Sequence, residues 1–98
     1  MKRMRELTGR KVFVTGAASG IGKAVAEQAA REGAVLHLTD VQAGPLADLA
    51  ERLGAAFAEP VDLSDYEAVH AMASRLTAEH GSMDVVLNVA GIAVWGTV

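Results

Sequence analysis

The chain has 98 residues, 51% of them hydrophobic, with 9 Lys and Arg against 12 Asp and Glu for a net charge of −3. That length holds one domain at most, that apolar content excludes a disordered chain, and that charge offers no basic field for a nucleic acid. There is no cysteine, which excludes a disulfide framework and any thiolate site.

The basic opening, Met1 to Arg5, leads into Glu6-Leu7-Thr8-Gly9-Arg10-Lys11 and not into the apolar run of a secretory signal. No window approaches the ~20 continuous apolar residues of a membrane helix. A soluble, cytoplasmic protein with no membrane or nucleic-acid partner is expected. Lys11 to Thr15 (KVFVT) is a short β-branched run ending at Gly16, which predicts a buried strand. Ile21 to Arg31 follows as a helix, with Ile21, Val25 and Ala29 spaced for one face and Gly33 as its left-handed cap. Val35 to Thr39 is a second strand that ends at Asp40. Pro45 marks a helix start, and Leu46, Leu49, Ala50 and Leu53 line one side of that helix up to Gly54. Ala55 to Val61 is a weaker third strand. Ser64-Asp65-Tyr66-Glu67 has the capping-box pattern, and the helix it opens should bury Val69, Met72, Ala73 and Leu76 and stop at Gly81. Met83 to Val89 is the fourth strand.

The order is therefore βαβαβαβ with short connections. Alternating strands and helices imply parallel pairing and right-handed crossovers, hence an α/β fold with a doubly wound parallel sheet of the Rossmann type. Residues 1–98 are expected to be the N-terminal portion of a dinucleotide-binding domain, cut off after the fourth strand. That strand would be central in such a sheet, and Val85, Val86 and Leu87 would otherwise form an unpaired apolar edge. The last seven residues, Ile92 to Val98, carry no charge and no stop signal. A longer polypeptide is expected. No repeat, low-complexity stretch or linker interrupts the pattern.

Thr15-Gly16-Ala17-Ala18-Ser19-Gly20-Ile21-Gly22 places three glycines between a predicted strand and a predicted helix. Gly16 permits the tight turn, Gly20 lets a phosphate approach the backbone, and Gly22 lets the helix pack on the strand. The free N–H groups of the helix start, aided by the helix dipole, suit a pyrophosphate. Asp40, at the end of the second strand, can accept hydrogen bonds from the adenosine ribose and would repel a 2′-phosphate. Val41, Gln42 and Ser19 supply no cation to hold such a phosphate, which favours NAD over NADP. Asp62 could accept from the adenine amino group with Leu63 against the base plane, although Asp62, Ser64 and Asp65 also suit turn and cap chemistry. Asn88-Val89-Ala90-Gly91 ends the fourth strand, with Gly91 giving backbone access and Asn88 an amide in an apolar strand.

Together, TGAASGIG at 15–22, Asp40, DLSD at 62–65 and NVAG at 88–91 resemble the short-chain dehydrogenase/reductase family, in its order and spacing, from about Leu7 to the end. The resemblance implies that Gly16, Ser19, Gly20, Ile21 and Gly22 hold the pyrophosphate side of NAD. It implies that Asp40 reads the adenine ribose, that Asp62 and Leu63 flank adenine, and that Asn88, Ala90 and Gly91 line the nicotinamide-side ribose. It further implies hydride transfer between nicotinamide and a secondary alcohol or ketone in a homo-oligomer, a dimer or tetramer. Two departures stand out. Val89 replaces the usual second Asn. The catalytic Ser and the Tyr-x-x-x-Lys pair have no match, since Tyr66 is followed four residues later by His70. No catalytic residue is therefore assigned in this segment, which alone should not turn over substrate. A non-catalytic dinucleotide-binding regulator or sensor on the same fold is the alternative, and an unrelated α/β module binding another phosphate ligand is a third.

The remaining candidates read as structural. His37 is expected to be a packed or edge histidine, Met72 core filler, and Tyr66 a surface residue. His70 and His80 are too far apart for a metal pair on one helix face, so no metal site is expected. Trp95 could line a substrate cleft or pack against further chain.

Overall fold

The computed structural model describes residues 7–89. Seven elements alternate along them: β1 (Lys11–Thr15), α1 (Gly20–Arg31), β2 (Val35–Asp40), α2 (Ala43–Leu53), β3 (Phe57–Pro60), α3 (Tyr66–His80) and β4 (Val85–Asn88). The four strands form one parallel sheet in the order β3-β2-β1-β4. Thr15 stands level with Thr39 on one side and with Asn88 on the other. The chain moves outward from β1 through β2 to β3, then returns across β1 to β4. The direction reverses beside β1, and in such sheets the crevice beyond the carboxyl ends at that reversal is where ligands bind. This is the expected doubly wound α/β architecture.

Period-2 alternation splits the core between the two faces of the sheet. Val12, Val14, Leu36 and Leu38 pack with Ala26 and Ala29 of α1 and with Leu46 and Leu49 of α2. The intervening Phe13 packs on the other side with Phe57, Val61, and Met72 and Leu76 of α3. No helix among the described residues is long and apolar enough to cross a membrane.

Several boundaries and faces differ from expectation. The buried stripe of α1 is Gly22, Ala26 and Ala29, while Ile21 is 62% exposed. Only residues of that size allow the close approach of α1 to β1, so the small residues turn inward and Ile21 turns out. Helix α2 starts at Ala43, which places Pro45 inside the first turn; a missing N–H is harmless there because no intrahelical acceptor is available. The N-cap of α3 is Asp65, not Ser64: Asp65 accepts from the Ala68 N–H at 3.1 Å. Ser64 is diverted, because its hydroxyl donates to Asp62 at 2.7 Å. Ala73 is exposed, and β3 and β4 are shorter than their apolar runs.

Candidate functional site

The loop after β1 turns on Gly16, whose φ of +66° favours a residue without Cβ. Ser19 then caps α1, its hydroxyl donating to the Gly16 carbonyl at 2.7 Å and accepting from the Gly22 N–H at 3.4 Å. A Cβ on Gly22 would lie 1.9 Å from the Gly16 carbonyl oxygen, so backbone meets backbone there. Gly20 differs: a Cβ at that position would touch no protein atom. No packing demand among the described residues explains this glycine. With the Gly22 N–H taken by Ser19, the N–H groups of Gly20 and Ile21 meet no acceptor among the described residues.

Asp40 ends β2 and is 7% exposed. One carboxylate oxygen accepts from the Ala18 N–H and the other from the Gln42 N–H, each at 2.9 Å. Asp62 follows β3. Its Oδ1 accepts from both the hydroxyl and the N–H of Ser64, at 2.7 and 2.9 Å. These bonds, the hydroxyl foremost, hold its carboxyl below the usual carboxylate range. Both fall on Oδ1 and leave Oδ2 facing no donor among the described residues, so the turn bonds do not use up the carboxylate.

These loops enclose a cleft of about 300 Å³ at the carboxyl edge of the sheet. Gly16, Ser19, Asp40, Asp62 and Leu63 line it together, with Thr39, Val41, Gln42 and Val61. Val41 and Leu63 are 64% and 42% exposed, two apolar side chains at its rim. The walls therefore offer carboxylate oxygens to hydroxyl or amino donors, the rim offers aliphatic surface to a flat ring, and the start of α1, next to Ser19 in the lining, offers N–H donors to an anion. That combination fits an adenine dinucleotide. Gly20, Ile21 and Gly22 stand at the start of α1, beside the cleft. Asn88 sits across β1, where the Thr15 hydroxyl donates to its Oδ1 at 2.9 Å. Ala90, Gly91 and Trp95 lie outside the described residues. Val89 is buried among the aliphatic core residues, so the side chain that departs from the family pattern has a packing role.

Thr39 and Val61, which also line the cleft, carry no motif signal in the sequence. Their signal was position, since each stands at or just beyond the carboxyl end of a strand, where the rim of such a sheet is built. The other candidates fall elsewhere. Tyr66 is 78% exposed, with its ring beside His70. His37 is buried, its Nδ1 3.3 Å from the Val12 carbonyl, and it meets the His80 ring edge-on at 5.0 Å. Among the described residues no three His, Asp or Glu side chains converge as metal ligands.

Comparison with known proteins agrees with this geometry. The family model described as short chain dehydrogenase matches residues 10–98. A probable oxidoreductase, EphD of Mycobacterium bovis, is 46% identical over 89 residues; the match takes in 87% of this chain and 15% of that protein. A short chain dehydrogenase/reductase from Burkholderia phymatum, solved in complex with NAD, superposes with a TM-score of 0.74 at 34% identity, covering 85% of this chain and 31% of that one. RhlG of Pseudomonas aeruginosa, solved with NADP, superposes with a TM-score of 0.76 at 32% identity, covering 84% and 34%. The chain thus spans well under half the length of each of these proteins.

Proposed function

Because the chain belongs to the short-chain dehydrogenase family, a family that binds nicotinamide dinucleotides, we propose that it supplies the NAD-binding half of an oxidoreductase acting on a small secondary alcohol or ketone. The observation that carries this reading is the single cleft in which Asp40 shares walls with Gly16, Ser19, Asp62 and Leu63. When bound, the dinucleotide would accept or deliver hydride. The protein's task in this segment is to hold it. The N–H groups of Gly20 and Ile21 at the start of α1 bind the pyrophosphate, with Ser19 and Gly22 shaping the loop. Asp40 accepts from the adenosine ribose. Asp62 and Leu63, with Val41, take the adenine. Asn88 serves the nicotinamide-side ribose, its amide oriented by the Thr15 hydroxyl, and Ala90 and Gly91 are assigned to the same end.

The choice of NAD over NADP is electrostatic. A 2′-phosphate would bring about −1.5 to −2 charges against the Asp40 carboxylate. None of the described residues lining the cleft is cationic. Proton transfer to the substrate oxygen is assigned to groups outside these 98 residues, in a cytoplasmic homo-oligomer. Titration calorimetry with NAD and NADP tests the reading. NAD should bind at least tenfold more tightly, and Asp40→Ala should narrow that ratio. Equal affinity for the two, or a ratio indifferent to Asp40→Ala, would overturn the NAD assignment; no binding of either would overturn the dinucleotide site.

A further inference from the structure

Asp40 makes more bonds than a ribose acceptor needs. Its Oδ2 accepts from Ala18 in the loop after β1 and its Oδ1 from Gln42 in the loop after β2. Its backbone carbonyl accepts from the Val61 N–H, after β3, at 3.0 Å. One residue thus joins all three loops that wall the cleft. Among the described residues, the loop after β1 has one other tie to β2, from the Ala17 N–H to the Thr39 carbonyl at 3.0 Å.

We infer that Asp40 is a positioning residue for the glycine loop, setting the pyrophosphate-binding backbone independently of any contact with the ribose. The inference rests on the dinucleotide reading above. A carboxylate accepting two backbone N–H groups is held in plane and cannot swing aside. Its repulsion of a 2′-phosphate is therefore built into the loop scaffold, and removing the charge also frees the loop. Exchanging cofactor preference at this position would carry a penalty that a simple ribose contact would not.

The test separates the two roles with a ligand that lacks the contact. An NAD analogue with a 2′,3′-dideoxyadenosine moiety offers Asp40 no hydroxyl. Its affinity is compared for wild type, Asp40→Asn and Asp40→Ala, alongside amide hydrogen exchange of the unliganded proteins. The expected result is an affinity for the analogue about tenfold weaker in Asp40→Ala, the scale of one lost charge-assisted hydrogen bond. Asp40→Asn should fall between, since its amide oxygen can still accept from one N–H while its NH₂ opposes the other. Exchange at Ala18 should quicken about tenfold or more, with Met72 and Leu76 of α3 unchanged. Unaltered affinity for the analogue, or exchange that quickens equally at Ala18, Met72 and Leu76, would overturn the inference. If Asp40→Ala fails to fold, Asp40→Asn and its Ala18 exchange decide. If wild type binds no dinucleotide, the functional reading falls, and Ala18 exchange still decides whether Asp40 tethers the loop.

Discussion

The two faces of the sheet are built differently. Toward α1 and α2 the core is aliphatic: Val12, Val14 and Leu38 are completely buried, and alanines and glycine bring α1 close to the strands. Toward α3 it is thinner and partly polar, with Phe57, Val61, Met72 and Leu76 on one side and the edge-on rings of His37, His80 and Phe57 at the end of the helix. The glycine loop grows from the first face. Its junction with α1 is set by the close approach of Gly22 to the Gly16 backbone, which does not titrate and hardly deforms. The second face contains a buried imidazole, whose charge state answers to pH. Rigidity thus sits under the binding loop, and sensitivity to conditions sits under α3.

The harshest way to break this contrast is Gly22→Ala. The new Cβ would meet the Gly16 carbonyl at 1.9 Å, and neither partner is a flexible side chain. We expect a loss at or above the roughly 1–3 kcal/mol of ordinary overpacking, with NAD binding abolished, read by thermal unfolding and calorimetry. Gly20→Ala, which meets no atom, should keep the stability and lose affinity only.

A paired truncation sharpens the comparison. Leu38→Ala on the aliphatic face should cost about 4 kcal/mol, near the upper part of the 2–5 kcal/mol range for such changes. Leu76→Ala on the α3 face should cost about 2 kcal/mol, because that side chain lies at the looser, partly polar end of the core. Denaturant unfolding gives both numbers, and equal costs would erase the distinction between the faces.

The smallest effect is the pH response. Burial, opposed by the Val12 carbonyl, pushes the His37 imidazole below its ordinary value of 6.5. In the unfolded chain the same group takes up a proton near that value. The folded state does so only at lower pH, so the unfolded state binds more protons in between and stability falls as the pH drops below about 6.5. His80 on α3 and Lys11 on β1 are the charged or titratable neighbours that oppose a proton there. Unfolding free energy measured between pH 8 and 5 should decline, and His37→Phe should flatten that component. An unchanged slope in His37→Phe would assign the decline to another group.

Most of the fold was legible because it rests on local physics. The β-branched run Lys11 to Thr15, the glycines closing each helix and the strand–helix alternation leave few alternatives to a parallel sheet. The glycine loop was legible for the same reason: its function lies in backbone geometry that the residue types themselves impose. Misreadings arose where two local solutions compete. Ser64 and Asp65 can each cap α3, and the choice went to Asp65 once Asp62 engaged the Ser64 hydroxyl. Ile21 fits a helical apolar stripe, yet the face that meets the strands is the one carrying the small residues Gly22, Ala26 and Ala29, and Ile21 turns outward.

Element order and the chemical type of the loop residues were written into the 98 letters, because propensity, periodicity and turn chemistry act over a few neighbours. The convergence of Gly16, Asp40 and Asp62 on one cleft belongs to the folded chain, since they come from three loops brought together by strand order and register. The same holds for the double engagement of Asp40, which pairs with Ala18 22 residues away. Such a bond depends on which strands become neighbours, and only long-range packing of the sheet against its helices chooses that.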